Sequence, residues 1–210
     1  MSASFDYKKA YKELYRPKEK PVLVDVPEMT FIMIDGSGAP DDEKYQSAIK
    51  TLYSLSYTIK MSHKKGQAPE GFFQYVVPPL ESLWWSKNGK LDPTMPKSDW
   101  LWNAMIRRPE FVTPEVFRWA VEECKKKKPP VDVSRARLDS FKEGLCVQIL
   151  HVGPYHEEHR STALLEEYIA ENGLTNLVGK EHKHHEIYLS DPNRTAPEKL
   201  KTVIRFPVSR

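Results

Sequence analysis

Apolar residues along this chain recur at two spacings. Short unbroken or alternating runs predict strands, and steps of three and four between them predict helices. "TFIMIDGSGAP" (Thr30 to Pro40) is an apolar run closing in turn residues, hence a strand and a loop. "DDEKYQSAIKTLYSLSYTIKMSHKKG" follows, with Asp41 or Asp42 as N-cap and Tyr45, Ile49, Leu52 and Leu55 or Ser56 on one face. It predicts a long helix closing at Gly66. "GFFQYVVPPL" reads as a strand stopped by Pro78 and Pro79, and "DWLWNAMIRRP" as another stopped by Pro109.

A second helix starts in "TPEVFRWAVEECKKKK", with Thr113 as N-cap, Pro114 at N1 and Glu115 in the first turn. After a Pro-containing linker at 129–134 the pattern returns. "LCVQILHVGPY" is a strand into a Gly-Pro turn, "EEHRSTALLEEYIAENG" a helix closing at Gly173, and "HHEIYLSDP" and "LKTVIRFPV" are strands. Residues 1–28 are a lead-in: Phe5, Ala10, Tyr11, Leu14 and Tyr15 mark a short amphipathic helix that "RPKEKP" breaks.

Strand, helix, strand, strand therefore occurs twice, and both halves close on Ile-Arg-x-Pro: "MIRRP" (Met105 to Pro109) and "VIRFP" (Val203 to Pro207). Agreement of motif and element order predicts a duplication. The expected fold is α+β: two pseudo-repeated strand-helix-strand-strand modules form one antiparallel sheet, with helices on one face and a ligand cleft on the other. Module one spans 29–110, a connecting helix and linker 113–140, and module two 141–208, the two modules forming a single domain over 29–208.

Composition narrows the function classes. Of 210 residues, 32 are basic and 29 acidic, with net charge +3, and the charges are spread along the chain. Nucleic-acid binding concentrates basic residues in a stripe, so nucleic acid is not expected as a partner. The one dense run, Lys125 to Lys128, reads as a solvated helix end. Two cysteines, Cys124 and Cys146, make neither a disulfide framework nor a zinc ligand set. No signal peptide and no run of 18 apolar residues is visible, so a cytoplasmic protein without membrane contact is expected. No Gly-x-Ser-x-Gly elbow occurs, and "DGSGAP" lacks the Lys-Ser/Thr of a phosphate loop. No cofactor is expected, and the oligomeric state is open.

The candidate chemistry lies in "HHEIYLSDP". As a strand it sets His184, Glu186 and Tyr188 on one face and His185, Ile187 and Leu189 on the other. Ile187, Leu189, Ile204, Phe206 and Val208 are assigned to the helix side, which sends Glu186, Tyr188 and the neighbouring Arg205 to the open face. A carboxylate among aromatic rings loses water and its pKa rises. Glu186 then serves either as counter-charge to a flat cation or as base for water, with Tyr188 hydrogen-bonding the oxygen that gains charge. The competing reading is an exposed carboxylate paired with Arg205.

Tyr53 and Tyr57, four apart on a predicted helix, read either as core, as helical stripes usually do, or as phenols at a cleft edge, and of Trp84, Trp85, Trp100 and Trp102, Trp85 and Trp100 are chosen to face the cleft. Trp119 reads as core. His151 ends an apolar strand and either borders the cleft or is a hydrogen-bonded structural histidine. His182, His184 and Glu186 have the spacing of a metal face, but no distant fourth ligand stands out and none is assigned. His156 and His159 read as solvent-facing.

The chain resembles the GyrI-like small-molecule-binding family, in its standalone form related to effector-binding domains of multidrug-responsive regulators. The resemblance rests on "IMIDGSGAP", "LYSLSYTIK", "PPLESLWW", "DWLWNAMIRRPEFVT", "EGLCVQILHVGPYHEE" and "HHEIYLSDPNRTAPEKLKTVIRFPV" in that order. One departure lies in the loop expected after Leu80, which reads Glu81-Ser82 where the family pattern has Glu-Gly and leaves the turn there open. The resemblance implies a cleft between two modules, lined by aromatics and closed by a glutamate, here Glu186. Some standalone members are similar to hydrolases that open the strained cyclopropane of DNA-alkylating natural products using an aromatic cage, a role the resemblance implies for Trp85 and Trp100 as its walls. Three functions follow as expectations: such a hydrolase, a non-catalytic binder that sequesters or senses drugs, or an interaction module acting on a topoisomerase.

Overall fold

The computed structural model describes residues 4–89, 94–127, 131–179 and 182–210. Module one consists of β1 (Val22–Ser37), α3 (Glu43–Lys60), β2 (Leu80–Ser86) and β3 (Trp100–Arg107). Module two repeats the order with β4 (Arg137–Val152), α5 (His159–Glu171), β6 (His184–Tyr188) and β7 (Lys201–Ser209), and adds the two-residue β5 (Thr175–Asn176). Two single-turn helices, α1 (Tyr7–Ala10) and α2 (Lys12–Tyr15), precede module one, and α4 (Pro114–Lys125) connects the two.

The pairings among these strands are antiparallel, and the sheet runs β4-β1-β3-β2-β6-β7-β5 with β4 also paired to β7. Six strands thus close into a barrel, and the modules meet twice, at β1/β4 and at β2/β6. Closure removes the free edges that an open sheet of this length would expose.

Each helix covers one stretch of the barrel's outer face. Leu52, Leu55 and Ile59 of α3 pack with Ile32, Ile34, Ala104 and Ile106, and Leu165 and Ile169 of α5 with Val147, Ile149, Ile204, Phe206 and Val208. Leu165 is fully buried, a contribution of about 1.5–3 kcal/mol for a side chain of its size. The Trp102 ring lies where a Cβ on Gly36 would stand, so this glycine admits an indole.

The α4 helix starts as predicted, its Thr113 hydroxyl accepting from the Val116 amide at 3.3 Å. Three expectations are corrected. The strand read in "GFFQYVVPPL" is absent: Tyr75 makes one isolated bridge to Phe5, and β2 starts at Leu80, beyond the two prolines that lack N–H donors. The rings of that segment pack on one another and on Phe111 instead. β1 begins at Val22, inside the stretch read as lead-in, because its first half pairs with the far end of β4. Glu81 and Ser82 lie within β2, so the departure from Glu-Gly creates no turn. Lys128 to Pro130, the end of the lysine run and the start of the linker, lie outside the described residues, as do Lys180 and Glu181 of "GKEHKHH".

Candidate active site

On β6, Glu186 pairs with Ser82 of β2 on one side and with Ile204 of β7 on the other. Cross-strand partners share a face, so Glu186 sits on the outer, helix-bearing side of the barrel. It lies where β2 and β6 join the two modules, between the side chains that α3 and α5 bring. The cleft expected opposite the helices is therefore a groove between them. The opposite, inner face is closed by buried side chains, apolar ones such as Phe31, Met105, Ile187 and Val203 beside the polar groups described below.

Glu186 is recessed, with 13% of its side chain exposed. Its Oε2 accepts a 2.6 Å hydrogen bond from the Tyr188 hydroxyl, which in turn accepts from Trp84 Nε1 at 3.0 Å. His184 Nε2 lies 2.9 Å from Oε1 but out of hydrogen-bonding line, and stays unpartnered among the described residues. Tyr45 from α3 bonds Ser82 Oγ at 2.7 Å and packs on Trp84 and Trp102. Ser82, the departure from the family pattern, thus anchors a groove tyrosine. Tyr155, in the turn before α5, meets the Tyr188 ring edge-on at 5.9 Å.

Carboxyl groups act on the phenols around Glu186. Burial, then the Glu186 charge, raises the Tyr188 phenol well above its ordinary value. Burial, then Glu158, Glu186 and Asp191, pushes Tyr155 up to about 12. Tyr53 is raised by burial, Tyr57 and Asp191. Glu158, at the start of α5, is raised well above the carboxylate range by burial and by Glu186. Among the described residues, neither Glu158 nor Glu186 meets a lysine or arginine within 4 Å. Glu158, His184 and Glu186 place one donor atom each within 4.8 Å of one another, the set that would hold a cation here. His182, weighed earlier for that role, is not in the set.

The other predicted residues divide. Trp100 reaches the groove through Trp84, edge-on at 6.0 Å, and Tyr53 and Tyr57 stack at 6.3 Å with Tyr57 exposed. Trp84 faces Glu186; Trp85 points to the opposite face, under the Lys183 ammonium. His151 is the hydrogen-bonded alternative: Nδ1 meets Ser161 Oγ at 2.9 Å and Nε2 meets the Pro154 carbonyl at 3.2 Å.

Arg205 does not share a face with Glu186. It pairs with His185 and is buried inside the barrel, donating to Glu143, Gln148 and the Leu14 carbonyl. Ile204 and Phe206, assigned together with Ile187, lie on the Glu186 side instead, and Ile187 points inward with Val203. The β6/β7 register sets Glu186 opposite Ile204 and His185 opposite Arg205, which places Arg205 and Ile187 together on the inner face.

Four groove residues escaped sequence reading as such: Tyr45, Trp84, Tyr155 and Glu158. A signal for Glu158 existed, since it continues the buried stripe Ser161, Leu165 and Ile169 by one more helical step. Elsewhere, a groove of about 560 Å³ between α4 and residues 131–136 contains none of the predicted site residues.

The model of the GyrI-like small molecule binding domain matches residues 19–209. The chain belongs to that family. This GyrI-like chain is similar to the crystal structure of an uncharacterized conserved protein from Listeria innocua, with 51% identity, TM-score 0.93, and 98% and 100% of the two chains covered. A structure described as a hydrolase from Listeria innocua is 48% identical at TM-score 0.89, over 98% of this chain and 100% of that one. The EcmrR C-terminal domain shares the fold at 15% identity and TM-score 0.55, over 91% and 98%. No curated protein matches the chain.

The family's duplication explains why the groove holds a single strand-borne acid. Glu186 pairs with Ile204 and Leu80 with Ile106, the isoleucines of the two Ile-Arg-x-Pro motifs. Leu80 is thus the module-one counterpart of Glu186. At equivalent places one module offers a hydrocarbon and the other a carboxylate.

Proposed function

We propose that this GyrI-like chain binds flat, bulky organic molecules in the groove between α3 and α5 and hydrolyses strained electrophiles there, cyclopropane-bearing DNA alkylators being the substrate class. The observation that carries the reading is the recessed Glu186 carboxylate, ringed by Tyr188, Tyr155, Tyr45 and Trp84. Ring strain supplies much of the driving force, and opening restores an aromatic system, so the protein's part is to position substrate and water and to move a proton. Glu186 takes that proton. Tyr188 holds Glu186, because its own hydroxyl proton is engaged with Oε2. Similarity to proteins described as hydrolases at 48% identity supports the class.

Mass analysis after incubation with a cyclopropane-bearing alkylator separates turnover from stoichiometric capture. Glu186→Gln lowers turnover by about 10²- to 10⁴-fold and leaves stacking-driven binding in place. Unchanged turnover in that variant sinks the catalytic role.

A second reading is favoured by Glu158, Glu186 and Asp191 all acting on Tyr155: the groove is a sink for aromatic cations without chemistry. In that case Glu186→Gln weakens cations selectively, neutral ligands bind as before, and the wild type yields no product.

A further inference from the structure

Arg107 ends β3 and Arg108 follows it, and beside them a small cavity lies against α3. Its polar lining is Ser56 of α3, Tyr75, Arg107 and Arg108, with Ile32 and Ile59 among the apolar walls. Three of those four polar side chains keep a buried atom without a hydrogen-bond partner among the described residues: Ser56 Oγ, Arg107 Nη1 and Arg108 Nε. Ser56 is 5% exposed and Arg107 8%, so bulk water does not stand in for the missing partners. A buried polar atom left without a partner is costly, and three of them in side chains around one cavity point to an occupant.

Charge and donor count say what kind. The two guanidinium groups share one carboxylate: Glu110 Oε1 lies 3.9 Å from Arg107 Nη2 with its side chain 68% exposed, and Glu110 Oε2 accepts from the Tyr7 hydroxyl. Arg108 makes no ion pair within 4 Å among the described residues, and its Nη1 donates to the carbonyls of Pro109 and Glu110 at 3.0 and 2.9 Å. Tyr7 and Tyr11 cover the faces of the Arg107 guanidinium, which leaves its N–H edge to find a partner. Both nitrogens can only donate, and the Ser56 hydroxyl donates wherever an acceptor is offered. The Tyr75 hydroxyl, bonded at 3.5 Å to the Ser56 carbonyl, can turn to the same acceptor. A water accepting from both guanidinium groups would have two protons to place, and Ser56 Oγ is the one side-chain acceptor in the lining without a partner. An anion takes every donor and offsets the surplus charge. The space, about 10 Å³ for the centre of a water-sized sphere, holds one atom, which excludes phosphate, sulfate and carboxylates.

We propose that this cavity is a binding site for a single halide ion, chloride or bromide, held by Arg107, Arg108 and Ser56. The ion ties α3, which carries Tyr45 and Tyr53, to the end of β3. Its role is to stabilise the fold that presents the groove, whatever chemistry the groove performs.

The test uses protein prepared in sodium gluconate and titrated with sodium chloride or sodium bromide at constant ionic strength, with thermal unfolding followed by circular dichroism. Expected is a midpoint that rises along a saturating curve, by about 5–10 °C at a halide concentration one hundred times Kd. Ser56→Ala weakens halide binding by about 10- to 100-fold, and Arg108→Gln abolishes the response. Each variant is compared with itself in gluconate, so a lower starting midpoint does not enter the result, and Ser56→Ala carries the test if Arg108→Gln does not fold. Crystals grown in bromide are expected to show an anomalous peak between Arg107 and Arg108. A wild-type midpoint indifferent to halide, a Ser56→Ala protein with the wild-type halide response, or a bromide crystal without a peak in this cavity overturns the site.

Discussion

Trp84, Tyr188 and Glu186 form a relay in which each proton has a direction: indole to phenol, phenol to carboxylate. A residue two positions from Glu186 on its own strand therefore acts as its holder. Replacing Trp84 by Phe keeps a six-membered aromatic ring and removes the first donor together with the five-membered part of a buried indole. The expected outcome is a stability loss of about 1 kcal/mol in urea titration and, under the proposed hydrolysis, a slower ring-opening step with ligand affinity retained. That Trp84 faces the groove and Trp85 does not was illegible in "LWW". Alternation says that adjacent residues point apart, but which one points where depends on the register with β6, and register is a long-range property. Glu158 was closer to legible, because the buried stripe of α5 runs through it.

The N-terminal segment is an element whose role only packing reveals. Its amphipathic pattern was plain in Tyr11, Leu14 and Tyr15, yet pattern alone names no partner. In the structure α2 closes one end of the barrel. The Tyr15 hydroxyl donates to Glu81 Oε1 at 3.1 Å, and the Leu14 carbonyl accepts from Arg205 at 2.9 Å. Tyr7 and Tyr11 stack on the Arg107 guanidinium, with its carbon 4.8 and 4.4 Å from their centroids. Arg107 and Arg205 are the paired arginines of the two Ile-Arg-x-Pro motifs, so the repeat places both inside the barrel and the lead-in supplies groups that meet them. Tyr15→Phe leaves a fully buried Glu81 oxygen without its donor, and a loss of about 1–3 kcal/mol is expected in chemical denaturation. Unchanged stability would mean that solvent reaches this end of the barrel.

At the scale of the whole molecule, the barrel interior is an ionic network. His185 sits between Glu143, at 3.0 Å, and Glu81, at 3.1 Å, while Arg205 bonds Glu143 at 3.0 Å. Burial raises the Glu143 pKa, but the His185 and Arg205 charges outweigh it and bring the carboxyl down to about 2. Burial lowers His185, and the Glu143 charge with the two hydrogen bonds overrides it, raising the imidazole to about 9. A depressed acid stabilises above its ordinary value of 4.5 and loses that contribution as pH falls toward about 2. A raised histidine stabilises below its ordinary 6.5 and loses that contribution as pH climbs through about 9. Unfolding midpoints are therefore expected to plateau between those ordinary values and decline on both sides. His185→Ala leaves two buried carboxylates without the cation between them, costs about 3–5 kcal/mol, and removes the alkaline decline. A histidine that titrates near its ordinary value by NMR would refute the network.

Local physics in the sequence determined much of this protein. The two periodicities, the Thr113 cap, the glycine stops and the repeated Ile-Arg-x-Pro specify the element order and its duplication, because propensity, capping and alternation act over a few residues. Glu186 was legible too, as a carboxylate interrupting a strand that otherwise has reason to be buried. Tertiary structure alone decided which face is which. Closure of the sheet into a barrel, with β6 between β2 and β7, turned His185 and Arg205 inward and brought Glu158, Trp84 and Tyr45 around Glu186. Those neighbours come from segments up to 141 positions apart, and the pairing register that joins them is set by the energy of the whole closed barrel rather than by any one strand.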